Sequence, residues 1–156
     1  MGSESVTTPR DLGTTPSRSL RSEAAVGALA ATAANAAVWA AGRAAGVSFQ
    51  VIPVGTEAPT QVGIVAVVLT TFIAFAVGVG LYALAARRSD RWARAVLAAG
   101  ALFAVVSTGG PLTTATNTPS GVLLTAMHLL TGAAFAITAF RAGQRHHHDT
   151  RTPCSG

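Results

Sequence analysis

His128 is the side chain of this 156-residue sequence most able to do chemistry in an apolar setting. It stands in the run "GVLLTAMHLLTGAAFA", which contains no charged residue. An imidazole there can bind a cofactor, line a pore or substrate site, or simply bond to a neighbouring helix. Helical spacing puts it on one stripe with Gly121, Thr125 and Gly132, and such small or hydrogen-bonding residues are typical of helix packing. A packed, neutral histidine is the leading interpretation, and the other two roles are alternatives.

Asn35 is a second strongly polar group inside an apolar run. At the rise of an α-helix, Asn35 lies about 16 Å into its run. By the same rise, His128 lies about 20 Å before Arg141, the residue that ends its run. The similar depths make an Asn35–His128 hydrogen bond a testable hypothesis. These two residues, together with Asn117 and Thr125, form a candidate polar pocket.

The segment "TGGPLTTATNTPSG" is the third polar feature, and threonines crowd its centre at 113–118. Its hydroxyl groups and Asn117 can line a small outward cavity above His128. More commonly, such residues satisfy the backbone groups of a tight turn. Pro119 suits the first turn of a following helix, for which Thr118 is the predicted N-cap.

The residue pattern offers little else for catalysis. No Asp or Glu lies within a predicted membrane crossing, whereas proton- or cation-coupled transporters generally carry an acidic relay there. The crossings contain no Ser/His/Asp set and no carboxylate pair. A haem held between two histidines would need a second copy of His128 from a homodimer. We therefore predict a protein that is not an enzyme and that has no cofactor.

Metal and thiol chemistry are also disfavoured. The single cysteine, Cys154, cannot close an internal disulfide, and the sequence contains no Cys-x-x-Cys spacing. The histidines at 146–148 lie in a polar tail, where a histidine run is weak evidence for a physiological metal site. We predict no metal site.

Charge is scarce and unevenly placed along the chain. Charged residues make up 11% of it, whereas a soluble domain carries about a quarter. All basic residues are arginines, the net charge is +5, and the arginines fall in clumps between apolar runs. Nucleic-acid binding would instead need basic residues along one face. The pattern predicts a multi-pass protein that contacts the lipid bilayer and has no nucleic-acid partner.

Four apolar runs are long enough to cross a bilayer, since about 20 apolar residues span its hydrocarbon core. Gly109, Gly110 and Pro111 are expected to break the helix between the third and fourth runs. The predicted fold is all-α: a four-helix transmembrane bundle of two antiparallel hairpins within residues 23–142. The approximate spans are 24–46, 62–86, 92–110 and 119–140, and the predicted disordered tails are 1–22 and 143–156.

The first run, 24–46, is mostly alanine. Alanine favours helix but gains little on transfer to lipid, so this helix inserts only marginally alone and suits close packing against neighbours. A cleaved signal peptide is the competing interpretation, although the apolar core of such a peptide usually has about 7–15 residues. The following segment, 47–61, contains Pro53, Gly55 and Pro59, which predict a turn-rich loop with room for a short surface strand.

Three arginine clumps indicate the orientation of the chain. They precede the first run, separate the second from the third, and follow the fourth: Arg10, Arg18 and Arg21; Arg87, Arg88, Arg91 and Arg94; Arg141, Arg145 and Arg151. Because arginine marks cytoplasmic loops, both termini are predicted to be cytoplasmic. Arg43 is the exception, and its long side chain is expected to extend to the outer head groups.

Two tracts, "GGPLTTATNTPSGVLLTAMHLLTGAAFAI" and the alanine-rich "NAAVWAAGRAAGV" before it, carry a resemblance. The chain resembles a family of small actinobacterial four-span membrane proteins catalogued as a domain of unknown function. Recurring features of that family correspond here to Gly110-Pro111, the turn from Thr113 to Thr118, and Met127-His128. The resemblance covers about residues 24–140 and implies a protein of the bacterial inner (cell) membrane. It implies no activity, cofactor or catalytic residue.

Together these observations predict a non-enzymatic membrane protein that functions through helix packing, as a homo-oligomer or with a partner membrane protein. A small bundle with a weakly apolar first helix gains from such association. The alternative is a small channel or transporter component whose polar pocket joins Asn35, the turn 113–118 and His128.

Overall fold

The computed structural model describes residues 18–149, with side chains described for residues 21–144. Most of this part of the chain is helical: α1 Arg18–Ala44, α2 Ile64–Arg88, α3 Asp90–Val106, α4 Gly109–Thr114 and α5 Thr118–Asp149. Two short antiparallel strands, β1 Gln50–Val51 and β2 Thr60–Gln61, lie between α1 and α2. Four spans of the described chain are long and apolar enough to cross a membrane: Arg21–Ala44, Ile64–Arg88, Asp90–Thr114 and Thr118–Gln144. The predicted all-α, four-helix transmembrane bundle is confirmed.

The two ends of the bundle differ in charge. One end, here called the basic end, carries all the arginines with described side chains except Arg43: Arg21, Arg87, Arg88, Arg91, Arg94 and Arg141. The opposite end, here called the loop end, holds α4 and both strands. Arg43 lies at the loop end, where its Nη1 donates to the carbonyl oxygen of Val47 at 3.3 Å. Its guanidinium group is therefore outside the apolar part of α1.

Both α1 and α5 extend past the apolar runs that predict them. α1 begins at Arg18, so residues 18–22 are helical although they were predicted to belong to a disordered tail. α5 continues to Asp149, so residues 143–149 are also helical. These extensions contain the helix formers Arg, Leu and Gln and no proline, and lengthening an existing helix is easier than starting one. The rest of the predicted tails, residues 1–17 and 150–156, lies outside the described residues.

The third helix ends before the position predicted for its break. α3 stops at Val106, and Ser107 and Thr108 separate it from α4. The hydroxyl groups of these two residues donate to α3 carbonyl oxygens at 3.0 and 2.6 Å, so acceptors at the helix end are satisfied. The tract Gly109-Gly110-Pro111, expected to break the helix, instead forms the first turn of α4. Proline is tolerated there because N–H groups of a first helical turn have no intrahelical partner.

α5 packs on each of the other four helices. Glycines allow it to lie close to α2 and α3, because they have no side chain in the way. A Cβ atom placed on Gly132 would collide with the Cβ of Ala104 in α3. The ring of Phe135 fills the space beside two further glycines. A Cβ on Gly78 would lie 3.1 Å from this ring, and one on Gly100 would lie 2.6 Å from it. The packing of α2, α3 and α5 therefore requires positions without side chains.

Phe49 anchors the loop end although its backbone is in the left-handed region, with φ of 50°. Its ring is fully buried and stacks on Trp39, with ring centroids 6.3 Å apart. Gly42 leaves room for the ring, since a Cβ there would lie 2.5 Å from Cζ of Phe49. Burying a phenylalanine contributes about 1.5–3 kcal/mol. That gain is comparable to the backbone strain of about 1–3 kcal/mol, so the ring holds the loop in this conformation.

We predict that Gly132→Ala destabilises the bundle while Gly80→Ala does not. The new methyl group at position 132 meets Ala104, and overpacking of this kind costs about 1–3 kcal/mol. Gly80 is the matched control, because it lies in the middle of α2 with no neighbouring atom within 4 Å of a Cβ. The measurement is thermal unfolding in detergent followed by circular dichroism. Equal melting temperatures for the two variants would contradict this account of the packing.

Candidate functional site

Asn35 joins three helices through its amide group. It lies in α1 with 1% of its surface exposed. Its Nδ2 donates to Oγ1 of Thr71 in α2 at 2.9 Å and to Oγ1 of Thr131 in α5 at 2.8 Å. The Thr131 hydroxyl donates its own proton to the carbonyl oxygen of Met127 at 2.9 Å, which leaves its oxygen free to accept. We call Asn35, Thr71 and Thr131 the polar clamp.

The polar clamp stabilises the bundle because hydrocarbon offers no competing hydrogen-bond partner. An amide nitrogen carries two N–H donors, and Asn35 uses both of them between helices. Interhelical hydrogen bonds in membrane proteins contribute about 0.6–2 kcal/mol each. The clamp therefore determines which faces of α1, α2 and α5 turn towards one another.

Several other polar atoms inside the bundle have no hydrogen-bond partner among the described residues. They are Oδ1 of Asn35 and the hydroxyl oxygens of Thr32, Ser120 and Thr125. On α5, the buried apolar side chains of Leu124 and Met127 separate Ser120 from the level of the polar clamp. The interior polar groups along α5 therefore lie at separate levels of the helix.

The turn 113–118 bonds to the loop of the first hairpin. The N–H of Thr116 donates to the carbonyl oxygen of Gln50 at 3.0 Å, and the N–H of Ile52 donates to that of Thr114 at 2.8 Å. We call these paired segments the loop cap. Of the two roles predicted for the turn, these groups perform the backbone-satisfying one.

Asn117 links the loop cap to the start of α5. Its Nδ2 donates to Oγ of Ser48 at 3.1 Å, and its Oδ1 accepts from the backbone N–H of Ser120 at 2.9 Å. The second bond is an N-cap interaction, so the cap is Asn117 and not Thr118, the residue predicted for it. Thr118 is the first residue of α5, because the asparagine side chain captures the N–H three residues ahead.

His128 does not bond to Asn35. Its Nδ1 donates to the carbonyl oxygen of Leu124 in its own helix at 2.8 Å, and its side chain is exposed. The stripe it shares with Gly121 and Gly132 faces other elements: a Cβ on Gly121 would contact α4, and one on Gly132 would contact α3. The polar clamp uses a different face of α5. The hypothesised Asn35–His128 hydrogen bond is therefore not formed. The glycines of the stripe serve helix packing, but His128 itself does not pack against a described neighbouring helix, contrary to the leading interpretation.

The four residues of the candidate pocket therefore lie in different parts of the structure and do not form one pocket. The hydroxyl of Thr125 is buried, the side chain of His128 is exposed, and Asn35 belongs to the polar clamp. Asn117 lies in the loop cap, about 20 Å from Thr131 along α5 by helical rise. No hydrogen bond joins any two of the four within the described part of the chain.

Thr71 and Thr131 are the partners that the residue pattern does not single out. A buried asparagine signals a need for hydrogen-bond partners, but several threonines satisfy that requirement equally well by type. Thr70, adjacent to Thr71, donates instead to a carbonyl oxygen of its own helix at 2.7 Å. Only the rotation of α2 about its axis decides which of the two hydroxyls faces α1.

The described residues contain no cluster of three or more His, Cys, Asp or Glu side chains that could hold a metal ion. Histidines 146–148 and Cys154 lie outside the described side chains. The chemistry that the structure places inside the bundle is therefore hydrogen bonding by amide and hydroxyl groups.

We predict that Thr131→Val destabilises the protein by about 1 kcal/mol, because one N–H of Asn35 loses its acceptor. Thr125→Val is the matched control on the same helix, since that hydroxyl is buried without a partner. Removing it is expected to leave stability unchanged or higher. Unfolding by SDS titration in mixed micelles measures both. The polar clamp is contradicted if the two variants unfold at the same SDS fraction.

A comparison with known protein families matches residues 15–145 to a family model described as a family of unknown function, DUF6069. No curated protein and no solved structure matches the chain. The matched region includes the four spans, the polar clamp and the loop cap. The resemblance to a domain of unknown function is confirmed, and the chain belongs to the DUF6069 family.

Proposed function

We propose that this protein is a non-enzymatic membrane protein that functions by packing against a second copy of itself, or against a partner membrane protein. The observation that carries the proposal is the outward face of α1. Between Ala30 and Ala44 its exposed residues are Arg43, at the loop end, and six alanines: Ala30, Ala33, Ala37, Ala40, Ala41 and Ala44.

This alanine face has the spacing of a helix-packing surface. Ala33, Ala37, Ala40 and Ala44 recur at steps of three and four residues and therefore form one stripe along α1. Small side chains let two helix backbones approach closely, which strengthens van der Waals contact and shortens interhelical hydrogen bonds. The inner face of α1 is already occupied, because it packs on α2 and α5. No other described helix covers the alanine face, so it is open to a helix of a second protein.

Lipid contact stabilises this face less than it stabilises the rest of the surface. α1 is the least apolar of the four spans, and α2 is the most apolar. The exposed face of α2 carries large side chains such as Leu69, Phe72 and Ile73. Those residues gain considerably on transfer to lipid, whereas alanine gains little. The alanine face of α1 therefore loses less lipid stabilisation than the face of α2 does when another helix covers it.

The proposal places the basic end in the cytoplasm of a bacterial cell, with the protein in the inner (cell) membrane. Six arginines at this end support that orientation, since positive charge is retained on the cytoplasmic side. Both helices that lead to the termini, α1 and α5, have their terminal ends there. The loop cap would then face the outside.

A role without catalysis agrees with the contacts of the polar residues. Asn35 and Asn117 use their amide groups to hold helices and loops together. The alternative predicted from sequence, a channel or transporter component, needed Asn35, His128 and the turn 113–118 to line one pocket. Their separate contacts support the packing role in preference to it.

We predict that Ala37→Ile weakens self-association and that Ala76→Ile does not. Isoleucine at position 37 holds the partner helix away from α1, whereas Ala76 is an exposed alanine of α2 outside the alanine face. The full chain is labelled with donor and acceptor fluorophores and reconstituted in vesicles at decreasing protein-to-lipid ratios. Energy transfer that persists on dilution for wild type and Ala76→Ile, but is lost for Ala37→Ile, is the expected result. Absence of transfer in wild type, or equal loss in both variants, would contradict a second copy as the partner.

A further inference from the structure

A surface groove between α3 and α5 begins at the basic end and runs along the apolar part of both helices. Arg94 and Arg141 stand at its basic end. Its walls and floor further along are apolar, with Leu97, Ala101 and Ile137 among the lining residues. We infer that this groove binds an anionic phospholipid, with the phosphate between the two arginines and an acyl chain along the apolar floor.

Charge at the groove selects an anion. Arg94 is exposed, and its Nε donates only to the backbone oxygen of Asp90, at 3.4 Å. Arg141 is also exposed, and neither guanidinium forms an ion pair with a carboxylate in residues 21–144. No acidic residue of the described part of the chain lines the groove. Two guanidinium groups that line one groove, with no carboxylate partner among residues 21–144, favour a phosphate, to which arginine donates in bidentate geometry.

The apolar floor selects a ligand that also carries a hydrocarbon chain. Both helices of the groove belong to membrane spans, so the floor opens towards lipid. Ala98, Ala101 and Ala136 give the groove its depth, while Ile137 and Phe140 form its exposed wall, at 53% and 59% exposure. A hydrophilic anion would leave this floor uncovered. An amphipathic one fills both parts of the site.

A second depression continues the groove towards the basic end. It shares Arg94, Leu97 and Phe140 with the first and adds Tyr82, Ala139, Gly143 and Gln144. The Tyr82 hydroxyl lies beside Gly143, where an added Cβ would be 3.2 Å from the hydroxyl oxygen. The hydroxyl and the glutamine amide add neutral hydrogen-bonding groups next to Arg94, which suits a polyhydroxyl head group such as glycerol.

A second copy of the chain is a weaker candidate for this groove. A symmetric contact through it would bring Arg94 and Arg141 of one protomer against the same residues of the other, and like charges repel. An anionic lipid brings the opposite charge. The inference is independent of self-association through the alanine face of α1.

The test measures binding of phosphatidylglycerol and phosphatidylcholine to the full chain by native mass spectrometry from a mild detergent. Wild type is expected to retain one phosphatidylglycerol and to bind phosphatidylcholine more weakly. The double variant Arg94→Gln, Arg141→Gln should weaken phosphatidylglycerol binding about thirtyfold, because each arginine contributes about fivefold and the two factors multiply. Arg87→Gln with Arg88→Gln removes the same charge at the same end outside the groove, and binding should change less than about threefold.

A third variant tests the acyl-chain part of the site. Ala101→Phe fills the floor and keeps both arginines, so it should also weaken phosphatidylglycerol binding. Inorganic phosphate should not displace the lipid, because it cannot occupy the floor. The inference is overturned if phosphatidylcholine binds as tightly as phosphatidylglycerol. The same holds if replacing Arg87 and Arg88 weakens phosphatidylglycerol binding as much as replacing Arg94 and Arg141. It is also overturned if Ala101→Phe has no effect, or if phosphate alone displaces the lipid. Circular dichroism confirms that each variant compared is helical.

Discussion

The amide of Asn35 is the interaction on which the arrangement of the bundle depends. It lies within a helix of alanines that gains little from lipid, so its two hydrogen bonds to Thr71 and Thr131 are directional forces on an otherwise smooth surface. They fix the rotation of α1 about its axis. Once Asn35 faces inward, the alanine stripe of the same helix must face outward, where a second helix can pack. The polar clamp and the proposed association therefore use opposite faces of α1.

Two further features hold the bundle together. Glycines allow close helix packing, and the loop end pairs its own backbone polar groups. Gly78 and Gly100 admit the ring of Phe135, and Gly132 lets α5 approach α3. At the loop end the turn 113–118 pairs with the first hairpin, so backbone groups near the membrane surface bond to protein. At the basic end, Arg94 and Arg141 form no ion pair with a carboxylate in residues 21–144, which is the basis of the proposed lipid site.

The sequence predicts the crossings well, because apolar length and charge clumping report directly on the cost of placing residues in hydrocarbon. It also identifies the glycines of the stripe through Gly132 as packing positions. The sequence does not predict contacts that depend on the rotation of a helix about its axis: Asn35 bonds to Thr71 and Thr131 and not to His128. It also fails where local bonds compete, since Ser107 and Thr108 end α3 before the glycine-proline tract, and Asn117 caps α5 in place of Thr118. Helical periodicity gives the faces of each helix but not the faces that meet.

A double-mutant cycle between Asn35→Ala and Thr71→Val tests the central claim most directly. Unfolding free energies of the full chain in bicelles give the coupling between the two side chains without the contribution of either alone. We predict a coupling of about 1 kcal/mol, and a parallel cycle of Asn35→Ala with His128→Ala that is additive. Additive effects for Asn35 and Thr71, or a larger coupling of Asn35 with His128, would contradict the polar clamp.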